Sequence, residues 1–175
     1  HASLADVEKY THNISFVGSL YTEKCPYDKV KNLSPKISGY LHGIMKAQEK
    51  IYGYYFVEEL LSDELVDEFV KNYDGYYLAG EEDLLTKKRT LAQFYIGNKI
   101  TAMERVDTFK YLSEKFEVDI YTASDTKEIP KLKNHGTIMT HTQMPIVFNK
   151  STINLNPTSK PIRSGIPLRI FDLLA

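Results

Sequence analysis

Short apolar segments alternate with longer stretches of helical periodicity, and this alternation restricts the fold more than any other feature of the chain. Ile14–Leu20 is an apolar, β-rich run that meets a glycine, as a buried parallel strand does. Val118–Thr122 is a second such run, and shorter ones at Thr137–Met139 and Ile153–Asn156 predict two further strands. Strands separated by helices indicate a sheet of parallel strands with crossover helices. The predicted fold class is therefore α/β, with a Rossmann-like, mainly parallel sheet and flanking helices.

Helical spacing predicts five helices between and after these strands. Ser34 and Ser62 stand where the first two helices need an N-cap, and a break is expected near Gly97-Asn98 in the third. The predicted ranges are Pro35 to Gly53, a segment after Ser62, Glu82–Phe116, Met144–Lys150 and Ile166–Ala175.

The length of 175 residues suits one well-packed core and is short for two domains. We predict a lead-in over residues 1–13 and a single Rossmann-like domain over 14–175. The final helix is apolar and stops without a cap or a glycine. We therefore expect the domain to be truncated at its C-terminus.

Composition excludes several classes of protein. A formal net charge of -1 predicts no basic surface for nucleic acid or anionic membrane. Cys25 is the only cysteine, which excludes an internal disulfide and fits a reducing compartment. No long uncharged apolar run or signal peptide is evident, so a cytoplasmic domain without a membrane span is expected. His135 and His141 have no carboxylate or cysteine in register, and no metal site is predicted.

In parallel α/β sheets, ligands bind beyond the carboxyl ends of the strands. The predicted ends carry Gly18-Ser19, Tyr121-Thr122-Ala123-Ser124, His141-Thr142 and Asn156-Pro157-Thr158. Their glycine, hydroxyl and amide groups suit hydrogen bonding to a ligand, although plain turns use the same residues. Gly18 lacks the remainder of a dinucleotide fingerprint, which disfavours a standard NAD fold.

The segment that leads into the last helix is the densest in candidate chemistry. Arg163 and Arg169 flank Gly165, and a helix start beside two guanidinium groups suits an anion such as diphosphate. Asp172, one turn further on, is placed to accept hydrogen bonds from ribose hydroxyls. Alternatively, both arginines are solvated and Asp172 pairs with one of them. The spacing favours neither interpretation.

The same segment carries a resemblance to a known family. The sequence INLNPTSKPIRSGIPLRIFDLLA resembles the spore-maturation, CgeB-like glycosyltransferases, and ISFVGSLY and VDIYTAS match two strands of that family's C-terminal domain. The similarity extends over Ile14–Ala175. It implies the C-terminal half, here incomplete, of a GT-B glycosyltransferase, in which two Rossmann-like domains face a cleft. Such enzymes usually need no essential metal, so no cofactor is expected.

The resemblance also implies a set of donor contacts. Gly18 and Ser19 would lie near the donor phosphates, Tyr121 and Thr122 near the base, the two arginines at the diphosphate and Asp172 at the ribose. The full donor-binding set is Gly18, Ser19, Tyr121, Thr122, Asn156, Arg163, Ser164, Gly165, Arg169 and Asp172. Ser164 departs from the family pattern, because related retaining enzymes have a glutamate at about this position.

The function implied is transfer of a sugar from a nucleotide diphosphate donor to an acceptor hydroxyl, on a glycan or a spore-surface component. Catalytic residues stay unassigned, because the acceptor domain would supply them, and the chain alone is expected to be inactive. Two alternatives remain open at this point. One is a non-catalytic nucleotide-binding or interaction module, and the other is a sensor-like α/β domain.

Overall fold

The computed structural model describes residues 4–73 and 86–174, and it shows an α/β fold with a sheet of four parallel strands. The strands are β1 (His12–Val17), β2 (Val118–Tyr121), β3 (Lys133–Asn134) and β4 (Ser151–Asn154). Their order in the sheet is β3-β2-β1-β4. This order equals that of the first four strands of a Rossmann sheet. The predicted α/β, Rossmann-like fold class is confirmed.

Both helices that were predicted from their serine caps are present. Ser34 Oγ accepts a hydrogen bond from the Ile37 amide, and Ser62 Oγ accepts one from the Leu65 amide, as N-caps do. The α-helices are α1 (Leu4–Lys9), α2 (Pro35–Lys50), α3 (Asp63–Lys71), α4 (Lys87–Thr90), α5 (Gly97–Lys115), α6 (Met144–Lys150) and α7 (Leu168–Leu174). A π-helical segment, Leu91–Ile96, joins α4 to α5.

The chain divides into two compact units. The first comprises residues 1–23, 105–158 and 164–175, and it contains the sheet. The second comprises residues 24–104 and 159–163. The single domain predicted over 14–175 therefore includes residues of both units, and β1 begins inside the predicted lead-in.

Helices cover both faces of the sheet in the first unit. On one face, Phe109 of α5 packs with Phe16 and Ile120, and the Phe16 and Phe109 rings lie 5.0 Å apart. On the opposite face, Val147 of α6 packs with Tyr121. Because successive strand residues point to opposite faces, neighbouring Ile120 and Tyr121 belong to different cores. β1 is central, paired with β2 and β4, as its continuous apolar run predicted.

The strand predicted at Thr137–Met139 is wrong. The third strand lies earlier, at Lys133–Asn134, where it pairs with Asp119 and Ile120 of β2. Ile138 instead packs beside Tyr121 in the core under α6. Its apolar character therefore reflects burial of the side chain and not strand pairing, which periodicity over three residues does not distinguish.

The break predicted near Gly97-Asn98 is also wrong, because the chain stays helical there. Gly97 begins α5 with φ -60° and ψ -41°, which is ordinary helical backbone. A Cβ at this position would collide with the Pro161 ring, so the glycine permits close packing within the second unit. The predicted helix start at Glu82 lies outside the described residues, as does the predicted end at Ala175.

The second unit is helical and has its own core. Its largest fully buried side chains include Leu41, Phe69 and Tyr95, which α2, α3 and the π-helical segment contribute. Lys160 closes the C-terminal end of α2, where its Nζ donates to the carbonyls of Gln48 and Glu49 at 3.1 and 2.7 Å. Within the described residues, no helix combines the length and the apolar character that crossing a membrane requires.

Candidate functional site

The strand order changes direction between β1 and β4, and three of the ten predicted ligand contacts, Gly18, Ser19 and Asn156, lie at this point. β2 and β3 lie on one side of β1, whereas β4 lies on the other. In open α/β sheets, the crevice at such a switch point, beyond the carboxyl ends of the strands, is where ligands bind. Gly18 and Ser19 follow β1 directly, and Asn156 lies two residues beyond β4. Next to this point, Ser15 Oγ of β1 donates a hydrogen bond to Asn154 Oδ1 of β4 at 2.9 Å.

Arg105, in α5, connects the two segments that form the switch point. Its guanidinium donates to the Ser19 carbonyl after β1 and, at 2.7 Å, to the Pro157 carbonyl after β4. The guanidinium also lies over the rings of Phe16 and Tyr21, at 5.6 and 4.9 Å from their centroids. Arg105 therefore places a permanent positive charge where these two strands end.

Buried hydroxyl groups hold the segment after β1 against the end of β2. Ser124 Oγ accepts the Leu20 amide at 2.8 Å, and Thr122 Oγ1 donates to Ser124 Oγ at 3.0 Å. Gly18 donates its amide to the Tyr121 carbonyl at 3.1 Å. The Thr122 hydroxyl, predicted to contact a donor base, is thus buried and engaged inside the protein.

Ser19 takes part in a second network at the same end of the sheet. Its Oγ donates to Glu23 Oε1 at 2.8 Å and accepts the Tyr21 amide at 2.8 Å. Burial raises the pKa of the Glu23 carboxyl, but hydrogen bonds from Ser124, its own amide, Ser19 and Thr22 outweigh burial and leave the pKa lowered. A carboxylate therefore lies beside the predicted phosphate contact, and its charge opposes the binding of an anion there.

The Tyr121 side chain points into a separate cluster on the α6 face of the sheet. Its hydroxyl lies 2.7 Å from His12 Nε2, and its ring stacks on that of His135 with centroids 5.0 Å apart. Burial, together with the Asp119 carboxylate, raises the pKa of Tyr121 to about 12. The base contact predicted for Tyr121 would need its backbone or a different side-chain rotamer.

His12, Asp119 and His135 form the core of this cluster, which we call the His–Asp cluster. Asp119 Oδ2 lies 3.3 Å from His12 Nδ1, and Oδ1 lies 2.6 Å from His135 Nε2. The side chains of His12 and Asp119 are each 7% exposed, whereas that of His135 is 39% exposed. Burial lowers the pKa of His12 although Asp119 opposes the shift. Among the described residues, these three can together hold a metal ion.

Two residues of the C-terminal part of the predicted site, Arg169 and Asp172, form an ion pair with each other. Arg169 Nη1 lies 3.2 Å from Asp172 Oδ2, which is the ion pair that the alternative interpretation of this segment required. The guanidinium also lies against Phe148, 5.4 Å from the ring centroid. α7 has seven residues and no buried one, so its first turn offers a weak anion site.

The other predicted donor contacts of this segment are scattered. Arg163 belongs to the second unit, where it lies 3.8 Å from Glu58 and over the Tyr55 ring. Ser164 and Gly165 are exposed, and Gly165 has φ +88°, the left-handed conformation that favours glycine. Asn156 is half-buried. The convergence of Arg163 with Gly18 and Arg169 stays a prediction.

Sequence reasoning missed four residues that the fold brings to these places. Arg105 carried a detectable signal, since it stands four residues before Phe109 and so shares the buried side of a predicted helix, where an arginine is unusual. Asp119 carried another, as a charge inside an apolar strand whose four residues are all buried. His12 and His135 gave no such signal, because their partners are distant in sequence.

Comparison of the chain with protein-family models, with curated proteins and with solved structures finds no match.

Proposed function

We propose that the chain binds the diphosphate of a nucleotide sugar at the switch point between β1 and β4, and that it forms the donor-binding part of a glycosyltransferase. The observation that carries the proposal is the strand order β3-β2-β1-β4, which sets the carboxyl ends of β1 and β4 side by side, since this is the position at which open α/β sheets bind nucleotides. The resemblance of residues 14–175 to spore-maturation glycosyltransferases supports the sugar donor.

Gly18 and Arg105 give this point the chemistry that a diphosphate requires. Without a side chain, Gly18 lets an anion approach the backbone closely, and Arg105 lies within hydrogen-bonding distance of the next residue. In sugar transfer, negative charge develops on the departing diphosphate, and a fixed positive charge stabilises it. Arg105 would supply that charge in the bound state. The acceptor is a hydroxyl group, on a glycan or another surface component.

A nucleotide panel tests the proposal. Calorimetric titration of the chain with nucleosides, nucleoside monophosphates, nucleoside diphosphates and nucleotide sugars should show the diphosphate-containing ligands binding most tightly. Gly18→Ala should weaken that binding, because the new Cβ would meet the Phe16 ring at 2.9 Å. Gly43→Ala is the matched control, since its Cβ would contact nothing within 4 Å. Equal affinities across the panel, or none, would refute a diphosphate site.

Arg169 is the second residue to test. If it contacts the diphosphate, Arg169→Ala should weaken nucleotide binding roughly ten- to a hundredfold, since hydrogen bonds to charged groups contribute about 1.5–3 kcal/mol. Arg169→Lys should restore binding only partly, because lysine lacks the planar fork. If the ion pair with Asp172 is its only role, the melting temperature falls and the affinity is unchanged. Both quantities are measured on the same protein.

A second candidate function is a nucleotide-binding module without transferase activity. The Arg169–Asp172 pair favours it, because an arginine paired with a carboxylate contributes less positive charge to stabilise a departing diphosphate. An assay of nucleoside diphosphate release from nucleotide sugars by the full-length protein distinguishes the two functions. Binding without release, with acceptors present, would identify the module.

A further inference from the structure

We propose that the His–Asp cluster (His12, Asp119 and His135) is a binding site for one divalent transition-metal ion of the zinc class. The donor atoms of the three side chains all lie within 4.8 Å of one another. They belong to β1, to β2 and to the residue after β3, which are neighbours in the sheet. The site goes beyond the proposed donor binding and does not depend on it.

The distances within the cluster are close to those of a metal centre. Tetrahedral zinc has bonds of about 2.0–2.2 Å to imidazole nitrogen and carboxylate oxygen, which sets ligand atoms about 3.3–3.5 Å apart. His12 Nδ1 and Asp119 Oδ2 already lie 3.3 Å apart. His135 Nε2, at 2.6 Å from Asp119 Oδ1, would have to withdraw by roughly 1 Å to admit an ion at the same spacing. Its partly exposed side chain leaves room for that movement.

The surroundings of His12 match those of a metal-ligating histidine. Such histidines nearly always donate the other ring N–H to an oxygen, which fixes the tautomer and the ring orientation. His12 Nε2 lies 2.7 Å from Tyr121 Oη, so Nε2–H can donate a hydrogen bond to the phenol oxygen while Nδ1 faces Asp119. The buried Tyr10 and Tyr121 rings, with centroids 6.1 Å apart, make this side of the cluster apolar.

The kind of ion follows from the donor set. Two imidazoles and one carboxylate suit zinc, cobalt, nickel or iron(II), whereas magnesium and calcium prefer oxygen ligands alone. A dication also suits a carboxylate that is 7% exposed, since the ion compensates the buried negative charge. Three protein ligands leave a fourth position, and the exposed edge of His135 gives water a route to it. The ion would thus hold a water molecule.

Cobalt titration tests the site directly. The chain is freed of metal with a chelator and titrated with Co²⁺, whose visible absorption reports tetrahedral nitrogen and oxygen ligands, and Zn²⁺ is then added in competition. We expect one equivalent of Co²⁺ to bind and one equivalent of Zn²⁺ to displace it. His135→Ala should weaken binding at least tenfold, and Tyr121→Phe should weaken it about 10- to 100-fold through His12.

His141→Ala is the matched control, because His141 is an exposed histidine of the same unit that lies outside the cluster. It should leave the titration unchanged. His135 is the most exposed of the three ligands, so its variant should keep the fold, and circular dichroism checks this. Absence of Co²⁺ binding by the parent chain would show that His135 and Asp119 form only an ion pair. Equal loss of binding in His135→Ala and His141→Ala would also overturn the proposal.

Discussion

Replacement of Arg105 tests whether one side chain holds the two segments of the switch point together. Arg105→Met keeps the aliphatic stem near Phe16 and removes both hydrogen bonds, to the carbonyls of Ser19 and Pro157. Hydrogen bonds from a charged donor contribute about 1.5–3 kcal/mol each. Because Arg105 is partly exposed, the low end of this range applies to each of the two hydrogen bonds. The free energy of unfolding should therefore fall by about 3 kcal/mol.

For a chain of this length, 1 kcal/mol corresponds to about 2–4 °C, so the melting temperature of Arg105→Met should fall by roughly 6–12 °C. Arg105→Lys should lower the melting temperature by about half as much, because one ammonium group cannot reach both carbonyls in the geometry of the guanidinium fork. Arg89→Met is the matched control, since Arg89 is exposed on α4. Differential scanning calorimetry of the three variants beside the parent chain gives the values.

Affinity for a nucleoside diphosphate, measured on the same proteins, separates the two roles of Arg105. If the guanidinium both positions the segments and faces the diphosphate, Arg105→Lys should bind more tightly than Arg105→Met. A change of melting temperature no larger than that of Arg89→Met would refute the positioning role. Equal affinity in all variants would remove Arg105 from the donor site.

Two further predictions concern the second unit. Lys160→Met should lower the free energy of unfolding by about 2–4 kcal/mol, measured by urea denaturation, because it leaves the last carbonyls of α2 without their donor. Lys36→Met serves as the control, since Lys36 is exposed on the same helix. An unchanged denaturation midpoint would contradict the capping role. Cys25 should react with iodoacetamide at pH 8 far more slowly than the same thiol in urea, because burial raises its pKa to about 11 and hides the sulfur. Rapid labelling of the native chain would show that its site opens.

The sequence by itself determined the local elements and the class of fold. Ser34 and Ser62 cap the helices they were expected to cap, since a cap depends on contacts within one turn. The β1 and β2 strands were readable because strands buried on both faces have continuous apolar runs. Thr137–Met139 has a similar run, but only tertiary packing decided that Ile138 would pack, partly buried, outside the sheet.

The tertiary structure alone decided which side chains meet. The order β3-β2-β1-β4 sets the ends of β1 and β4 side by side, and no local signal specifies that order, because strand pairing depends on contacts between distant segments. Likewise His12 and Tyr121 are 109 positions apart in the chain and share a hydrogen bond of 2.7 Å. Hydrophobic periodicity indicates the buried face and the ends of a single helix or strand. It therefore predicted the polar residues at the strand ends, but neither Arg105 between those ends nor the histidines around Asp119. Those arrangements exist only once the sheet has formed.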